Sequence, residues 1–175
     1  MPLIASIPAP FHANYNRGKR YYKKGWERVI PMSYRTILVA YDGSEPSLRA
    51  LNKAIEFAAD WDASLEVVHV YQIPIASVGE AMVPAAPETN AAIAHEAQNR
   101  GDEAQSIIAA APGVRANVTV KQGEPGPLIV ETAADKQADL IVIGSRGNSG
   151  LKQLFLGSVS QHVIQHTECS VHVVK

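Results

Sequence analysis

The stretch ADLIVIGSRGNSGLKQLFLGS, residues 138–158, joins a short apolar run to a glycine-rich loop. The run ends at Ile143, and residues 144–158 contain four glycines, three serines and two cations. Apolar runs of this length are typical of strands that are buried on both faces of a parallel sheet. Ligands of such sheets bind beyond the carboxyl ends of the strands. The stretch therefore predicts a strand followed by a loop that is placed to contact a ligand.

Strand-like and helix-like segments alternate along the chain from residue 35 onward. Four helical segments separate five short strands, and this alternation requires right-handed crossover connections between parallel neighbours. The pattern predicts an α/β fold in which an open, five-stranded parallel sheet has helices on both faces. The predicted strands are residues 36–41, Ser64–Tyr71, 115–123, 138–144 and Ser170–Val174.

Residue patterns predict the start and the buried face of the first helix, and the character of the connection that precedes the second helix. Ser44 is expected to cap the first helix, and proline at position 46 is tolerated in a first turn. Apolar side chains at three- to four-residue spacing predict one buried face on this helix, formed by Leu48, Leu51, Ile55 and Ala59. Before the second helix, a connection that is rich in proline and alanine is predicted to be irregular and mobile. Its prolines are Pro74, Pro84 and Pro87.

Composition limits the classes of protein to which this chain can belong. The chain has 175 residues, of which 46% are hydrophobic and 19% charged, as expected of one soluble globular domain. A formal net charge of -1 argues against bulk nucleic-acid binding, and no apolar run approaches the roughly 20 residues that a membrane span needs. The single cysteine, Cys169, excludes an intrachain disulfide and fits a cytoplasmic location.

Residues 1–31 differ in charge from the rest of the chain. They carry six of the lysines and arginines and a single acidic residue, Glu27, and they contain five aromatic residues in the same region. No helical or strand period organises them. We expect a poorly packed basic appendage at residues 1–31 and a folded domain at 32–175. A basic arm that docks on an acidic partner is the alternative.

The glycine-rich loop has the chemistry of a phosphate site. Glycines let a backbone approach a ligand closely, and successive N–H groups can surround an anion. A helix that begins near Ser158 adds its free amides and the positive end of its dipole. The spacing is Gly144, two residues, Gly147, nine residues, then Gly157 and Ser158. A flexible surface loop with helix caps at its ends remains the alternative.

Asp42 follows the first predicted strand directly, in the sequence AYDGSEP. If the first and fourth strands are neighbours, Asp42 and the loop after Ile143 face the same crevice. The sequence thus places a carboxylate beside the glycine-rich loop. The simpler interpretation is a turn residue that bonds to its own backbone.

These motifs together resemble the universal stress proteins. The segments ILVAYDGSEPS (37–47), ADLIVIGSRG (138–147) and GSRGNSGLKQLFLGSVSQHV (144–163) are similar to the family's first strand and acidic turn, its fourth strand and its G-x2-G-x9-G-[ST] signature for ATP. The resemblance covers residues 34–175. It implies a Rossmann-like sheet in the strand order 3-2-1-4-5.

The resemblance also implies which residues bind ATP, with Mg²⁺ as its companion ion. The adenine and ribose would lie at Ala40, Asp42 and Val70. The ribose and phosphates would lie at Ile143, Gly144, Gly147, Gly157, Ser158 and Val159. Arg146 and Lys152 are further candidates for phosphate contact, and solvated surface cations are an equal alternative for both.

The family further implies a homodimer that forms through the C-terminal strand. An apolar edge strand such as SVHVV is an association hazard unless it is paired. The family commonly has proline before this strand, where the chain has Ser170. Strand entry and dimer geometry are therefore less defined than the nucleotide motif.

Catalytic and metal-binding groups are not predicted. No serine, histidine and acid grouping follows from the spacing, so ATP hydrolysis is expected to be slow at most. The set His162, His166, Cys169 and His172 contains metal-binding residue types, but surface or interface histidines are the favoured interpretation. The sequence thus predicts an ATP-binding, cytoplasmic stress-response or signalling module with an unknown protein partner. The alternative is a dimeric interaction protein of the same fold that does not use nucleotide.

Overall fold

The computed structural model describes residues 34–78, 81–84, 86–147 and 156–175. The predictions for residues 1–31 and for Lys152 lie outside these ranges. The strands are β1 (Thr36–Ala40), β2 (Ser64–Tyr71), β3 (Ile75–Val78), β4 (Ala81–Pro84), β5 (Arg115–Gln122), β6 (Leu140–Gly144) and β7 (Ser170–Val174). The helices are α1 (Glu45–Trp61), α2 (Pro87–Ala109), α3 (Pro125–Asp135) and α4 (Ser158–His166).

Five of the strands form one parallel sheet in the order β5-β2-β1-β6-β7. Counted along the chain, these are the third, second, first, fourth and fifth strands of the sheet, so the predicted order 3-2-1-4-5 is confirmed. β1 and β6 are neighbours, and Ala40 pairs with Ile143 at their carboxyl ends. The winding direction reverses between these two strands, which is the position at which open α/β sheets bind ligands.

Each face of the sheet has its own hydrophobic cluster. On the first face, α1 and α2 cover alternate strand residues that include Ile37, Val39 and Val67. On the second face, α3 and α4 cover the other set of alternate strand residues, which includes Leu38 and Val68. Because strand side chains alternate between faces, both clusters need apolar residues, and this explains the nearly continuous apolar strands.

The N-terminus of α1 is as predicted, and its buried face is only partly so: Leu51 is buried and Ile55 packs against the core, but the other two predicted residues do not. The Ser44 hydroxyl accepts a hydrogen bond from the backbone N–H of Ser47, and proline occupies the first turn. Leu48 is 36% exposed and Ala59 is exposed, so both were assigned to the wrong face. Small residues allow α1 to approach the sheet closely on the face that is buried, formed by Ser47, Ala50, Leu51, Ala54 and Ala58.

The connection between β2 and α2 also differs from the prediction. It contains an antiparallel pair, β3 with β4, in which Ile75 pairs with Pro84. Pro87 belongs to the first turn of α2, where proline has no N–H bond to lose. Proline at the end of a strand or the start of a helix is compatible with regular structure, which is why its presence did not imply an irregular segment.

None of the helices in the described residues is both long and apolar enough to cross a membrane.

Candidate functional site

A cavity of about 400 Å³ opens at the carboxyl ends of β1, β2 and β6, beside the N-termini of α3 and α4. Small-molecule sites in proteins span roughly 300–1,000 Å³. The cavity is lined by all nine residues predicted to bind nucleotide, which are Ala40, Asp42, Val70, Ile143, Gly144, Gly147, Gly157, Ser158 and Val159. The fold therefore brings together three segments, at residues 40–42, at Val70 and at residues 143–159.

Further lining residues were missed by sequence reasoning. They are Tyr41, Ser47, Val68, Gln72, Pro125, Ile129 and Ser160. Val68 could have been found, because it lies two residues before Val70 and so shares its face of the sheet. Pro125 and Ile129 lie on α3, and their position follows from how that crossover packs, which no local motif encodes. Arg146, which sequence reasoning treated as either a phosphate contact or a surface cation, also lines the cavity.

Asp42 has two roles that the sequence presented as alternatives. Its Oδ1 accepts a hydrogen bond from the Ser44 N–H at 2.9 Å, and its own N–H donates to the Ser47 hydroxyl at 3.3 Å. A bond to the backbone two residues ahead is an Asx turn. Asp42 therefore stabilises the turn after β1 and also lines the cavity.

Gly147 lies against the Asp42 carboxylate. A Cβ placed on Gly147 would be 2.5 Å from Oδ2 of Asp42, which is closer than a carbon and an oxygen can approach without bonding. The carboxylate cannot turn away freely because its other oxygen is bonded to Ser44. A side chain at position 147 thus requires the Asp42 carboxylate to shift, whether or not a ligand is present.

A double-mutant cycle tests this contact in the absence of nucleotide. We expect Gly147→Ala to lower the free energy of unfolding by about 1–2 kcal/mol, as is typical of overpacking. In the Asp42→Ala background the same substitution should cost less than about 0.5 kcal/mol, because the obstructing carboxylate is gone. Denaturant titration of the four proteins measures the difference. Equal costs in both backgrounds would show that Asp42 is not what excludes a side chain at position 147.

The other two glycines of the signature differ in how tightly they are enclosed. A Cβ on Gly144 would lie 2.9 Å from the carbonyl carbon of Pro46 and 3.0 Å from the backbone nitrogen of Ser47. On Gly157 the nearest atom would be the Cα of Arg146 at 3.4 Å, an ordinary van der Waals distance. Gly144 is therefore required by the packing of α1, and Gly157 is not enclosed in this way.

Backbone hydrogen bonds of Ser145 connect the two ends of the glycine-rich segment. Its buried carbonyl accepts hydrogen bonds from the Gly157 N–H at 2.7 Å and the Ser160 hydroxyl at 3.0 Å. Its N–H donates to the carbonyl of Val174, in β7, at 2.6 Å. The end of β6 and the start of α4 are thus hydrogen-bonded to each other at Ser145, and Ser145 is also hydrogen-bonded to the edge strand β7.

The N-terminus of α4 faces the cavity. Gly157 is the residue before the first turn, and no side chain in the described part of the chain caps this helix. Ser158 and Val159 line the cavity. The first N–H groups of a helix have no partner within it, and the helix dipole places positive charge there. This end of the cavity is therefore suited to an anionic group.

Another part of the cavity lining is apolar. Val68 and Val70 extend from β2, and Ile129 from α3. Of the described lining residues, only Asp42 and Arg146 carry a formal charge at neutral pH. The cavity thus combines an apolar wall, one carboxylate, one guanidinium and an uncapped helix end.

Tyr41 lies between the two cavity residues Ala40 and Asp42 and is 2% exposed. Burial raises the pKa of Tyr41, and a hydrogen bond to the Glu103 carboxylate on α2 raises it too because it favours the protonated phenol; together they bring this pKa to about 12. Tyr41 is therefore neutral at physiological pH.

The sequence profile of the universal stress protein family matches residues 33–175 of this chain. The chain belongs to the universal stress protein family. Its curated relatives include universal stress protein Sll1388 from Synechocystis, 38% identical over 82% of this chain and 99% of that protein. Universal stress protein MJ0531 from Methanocaldococcus jannaschii is 36% identical over 81% of this chain and 82% of that protein. The predicted family is thus confirmed.

Solved universal stress proteins share the fold. UspA from Lactobacillus plantarum matches 82% of this chain and 99% of its own with a TM-score of 0.71 and 25% identity. A universal stress protein in complex with cAMP matches 81% of this chain and 97% of its own, with a TM-score of 0.61 and 30% identity. The protein from Archaeoglobus fulgidus in complex with dAMP matches 82% and 100%, with a TM-score of 0.59 and 27% identity.

The histidines near the C-terminus of this universal stress protein lie on different faces of the sheet. The rings of His162 and His166 stack on α4 with their centroids 4.0 Å apart, and Nδ1–H of His166 donates to the His162 carbonyl at 2.8 Å. The ring of His172 instead lies edge-on against Phe57 of α1. Within the described ranges, no three His, Cys, Asp or Glu side chains are grouped as a metal site would need.

Proposed function

We propose that this universal stress protein binds ATP, with Mg²⁺, in the cavity between β1 and β6, and that nucleotide occupancy changes its contacts with a protein partner. The observation that carries the proposal is the convergence of the residues from the acidic turn, the second strand and the glycine-rich segment on one cavity of suitable volume. The motifs that supplied these residues are far apart in the sequence, so nothing in the local sequence requires them to meet. The fold brings them together in one cavity.

The two ends of the cavity suit the two ends of a nucleotide. The apolar wall at Val68 and Val70 can cover a base, and Asp42 can accept a hydrogen bond from a ribose hydroxyl. The amides at the start of α4 and the guanidinium of Arg146 can bind phosphate oxygens. Mg²⁺ would neutralise phosphate charge when it is bound.

Two solved relatives support a nucleotide of the adenine class. One universal stress protein was solved with cAMP and another with dAMP. Both ligands contain adenine, a pentose and at least one phosphate, which are the groups that the cavity of this chain can accommodate. ATP is the finer proposal, and it comes from the match of residues 144–158 to the ATP signature.

Calorimetric titration of protein that has been stripped of bound ligand tests the proposal. ATP, ADP and AMP are each titrated with and without Mg²⁺, and saturable binding with one nucleotide per chain is the expected result. Absence of binding by all three would favour the alternative, a dimeric interaction protein of the same fold that does not use nucleotide. The glycine-rich segment would then be a structural connector.

Two substitutions distinguish the ends of the site. Ser158→Ala removes a hydroxyl but keeps the backbone amide, so we expect it to cost the roughly 0.5–1.5 kcal/mol of one hydrogen bond, and to cost less for adenosine, which has no phosphate. Asp42→Ala should weaken ATP, ADP, AMP and adenosine alike, because it acts at the ribose and base. Dissociation constants measured by titration provide the comparison. The same loss for adenosine as for ATP in Ser158→Ala would place that residue away from the phosphates.

Assembly and location form part of the same proposal. We infer a homodimer through the edge strand β7, whose residues Val171 and Val173 are only partly buried. We also infer a cytoplasmic protein in which residues 32–175 form the folded domain. Hydrolysis of ATP, if it occurs, should be slow, because the described lining residues offer amides at the phosphate end, and their one carboxylate, Asp42, is assigned to the ribose.

A further inference from the structure

The turn that carries Asp42 is in contact with α2, although α2 contributes no residue to the cavity lining. Gly43 follows Asp42 with a φ of +76°, a conformation that favours glycine. A Cβ at Gly43 would lie 2.8 Å from Nη1 of Arg100 and 3.0 Å from its Cδ and Cζ. The Arg100 side chain therefore lies directly on the backbone of the turn, and only glycine leaves room for it.

Two carboxylates hold the Arg100 guanidinium in this position. Nη1 is 3.0 Å from Oε2 of Glu103, and Nη2 is 3.2 Å from Oε1 of Glu96. The two acids lie one helical turn before and after Arg100 on α2. They bind different nitrogens of the planar guanidinium, which fixes its orientation as well as its position. The Glu103 bond also raises the pKa of Arg100, so the group stays charged.

The residue before Asp42 is held as firmly as the residue after it. The N–H of Tyr41 donates to the Val68 carbonyl at 3.0 Å, and its carbonyl accepts from Nδ1–H of His69 at 2.8 Å. Its phenol faces Glu103, the same carboxylate that binds Arg100. Asp42 is therefore enclosed between a fixed tyrosine and a covered glycine, with its carboxylate directed at Gly147.

We propose that Arg100 is a positioning residue of the cavity: by packing on Gly43 it holds the Asp42 carboxylate against Gly147, and it thereby raises the affinity for adenine nucleotide without touching the ligand. The statement about affinity rests on the proposed function, whereas the statement about Asp42 does not. Arg100 is not a lining residue of the cavity. Its ion pairs are partly exposed, so their loss should change global stability little.

The first test uses the full chain without nucleotide and compares Arg100→Gln with Arg115→Gln. Arg115 serves as the control, because its guanidinium also makes an exposed ion pair on the same domain, with the Asp62 carboxylate, but at the amino ends of the strands, where it binds the Asp62 carbonyl as well. The N–H of Ser44, which donates to Asp42, reports the carboxylate's position by NMR. We expect its hydrogen exchange to become about 3- to 10-fold faster in Arg100→Gln and to be unchanged in Arg115→Gln. Unchanged exchange at Ser44, with an unshifted Gly147 resonance, would overturn the proposal.

The second test measures nucleotide affinity in a double-mutant cycle. Arg100→Gln should raise the dissociation constant for AMP about 3- to 10-fold in the wild-type background and leave it unchanged in Asp42→Ala. Equal losses in both backgrounds, or no loss in either, would show that Arg100 does not act through Asp42. If the wild-type chain binds no nucleotide, the proposed function fails, and the ligand-free exchange measurement still decides whether Arg100 positions Asp42.

Discussion

Replacement of Gly144 by valine should lower the free energy of unfolding by about 3 kcal/mol, the upper part of the usual range for overpacking. The new Cβ would lie 2.9 Å from the Pro46 carbonyl carbon and 3.0 Å from the Ser47 nitrogen, and backbone atoms cannot rotate away as a side chain can. The Ser47 N–H is also bonded to the Ser44 hydroxyl, so a shift of this turn would disturb the helix cap. Denaturant unfolding of the nucleotide-free protein measures the loss.

Gly157→Ala is the matched control within the same signature. Gly157 has a φ of -77°, which any residue can adopt, and its nearest contact would be at 3.4 Å. It precedes the first turn of α4, where alanine is a poorer cap than glycine, so a loss below about 1 kcal/mol is expected. Similar losses for the two variants would mean that contact with α1 is not what restricts position 144.

ATP with Mg²⁺, at a hundred times its dissociation constant, should stabilise the stripped protein by about 2.7 kcal/mol, since a ligand that binds only the folded state stabilises it by mass action. For a chain of this length the gain corresponds to a rise of about 5–10 °C in the melting temperature. Thermal unfolding followed by circular dichroism at several ATP concentrations measures it. The rise should increase with the logarithm of the ATP concentration above the dissociation constant.

Asp42→Ala provides the control for this stabilisation. The variant should require more ATP for the same rise in melting temperature, because the ribose loses an acceptor while the phosphate end is intact. A wild-type protein, verified free of carried-over ligand, that gives no shift with ATP, ADP or AMP would contradict the proposed function. A shift of equal size with inorganic triphosphate would show that only the anionic end of the cavity is used.

The location of the cavity could be predicted because it depends on patterns within single segments once the order of the strands is known. Parallel strands all end at the same edge of a sheet, so a motif that directly follows a strand must lie at that edge. Asp42 follows β1 and Gly144 ends β6, and the pairing of Ala40 with Ile143 brings the two within one cavity. The resemblance supplied the order of the strands, and the structure confirms it.

The contacts between helices and strands could not be predicted in the same way. When the sequence of α2 is considered alone, Gly101 is expected only to lower the stability of the helix, because glycine has a low helix propensity. In the fold, a Cβ at Gly101 would lie 2.8 Å from Cγ2 of Val120, so this glycine is what allows α2 to pack on β5. The contact of Arg100 with Gly43 is of the same kind. Each of these contacts joins residues that are distant in the sequence. The local sequence around one residue gives no indication of which residue it contacts.

The enclosure of Gly144 has a consequence for how the chain could change over evolutionary time. Selection for a well-packed α1 would by itself preserve glycine at position 144, even in a descendant that had lost its ligand. Gly147 would likewise persist for as long as an aspartate occupied position 42. Ser158 is exposed and an added Cβ on Gly157 would meet nothing closer than 3.4 Å, so in a lineage that did not bind nucleotide, drift should appear first at these two positions. The last two positions of the motif are therefore a better record of nucleotide use among descendants than the first two.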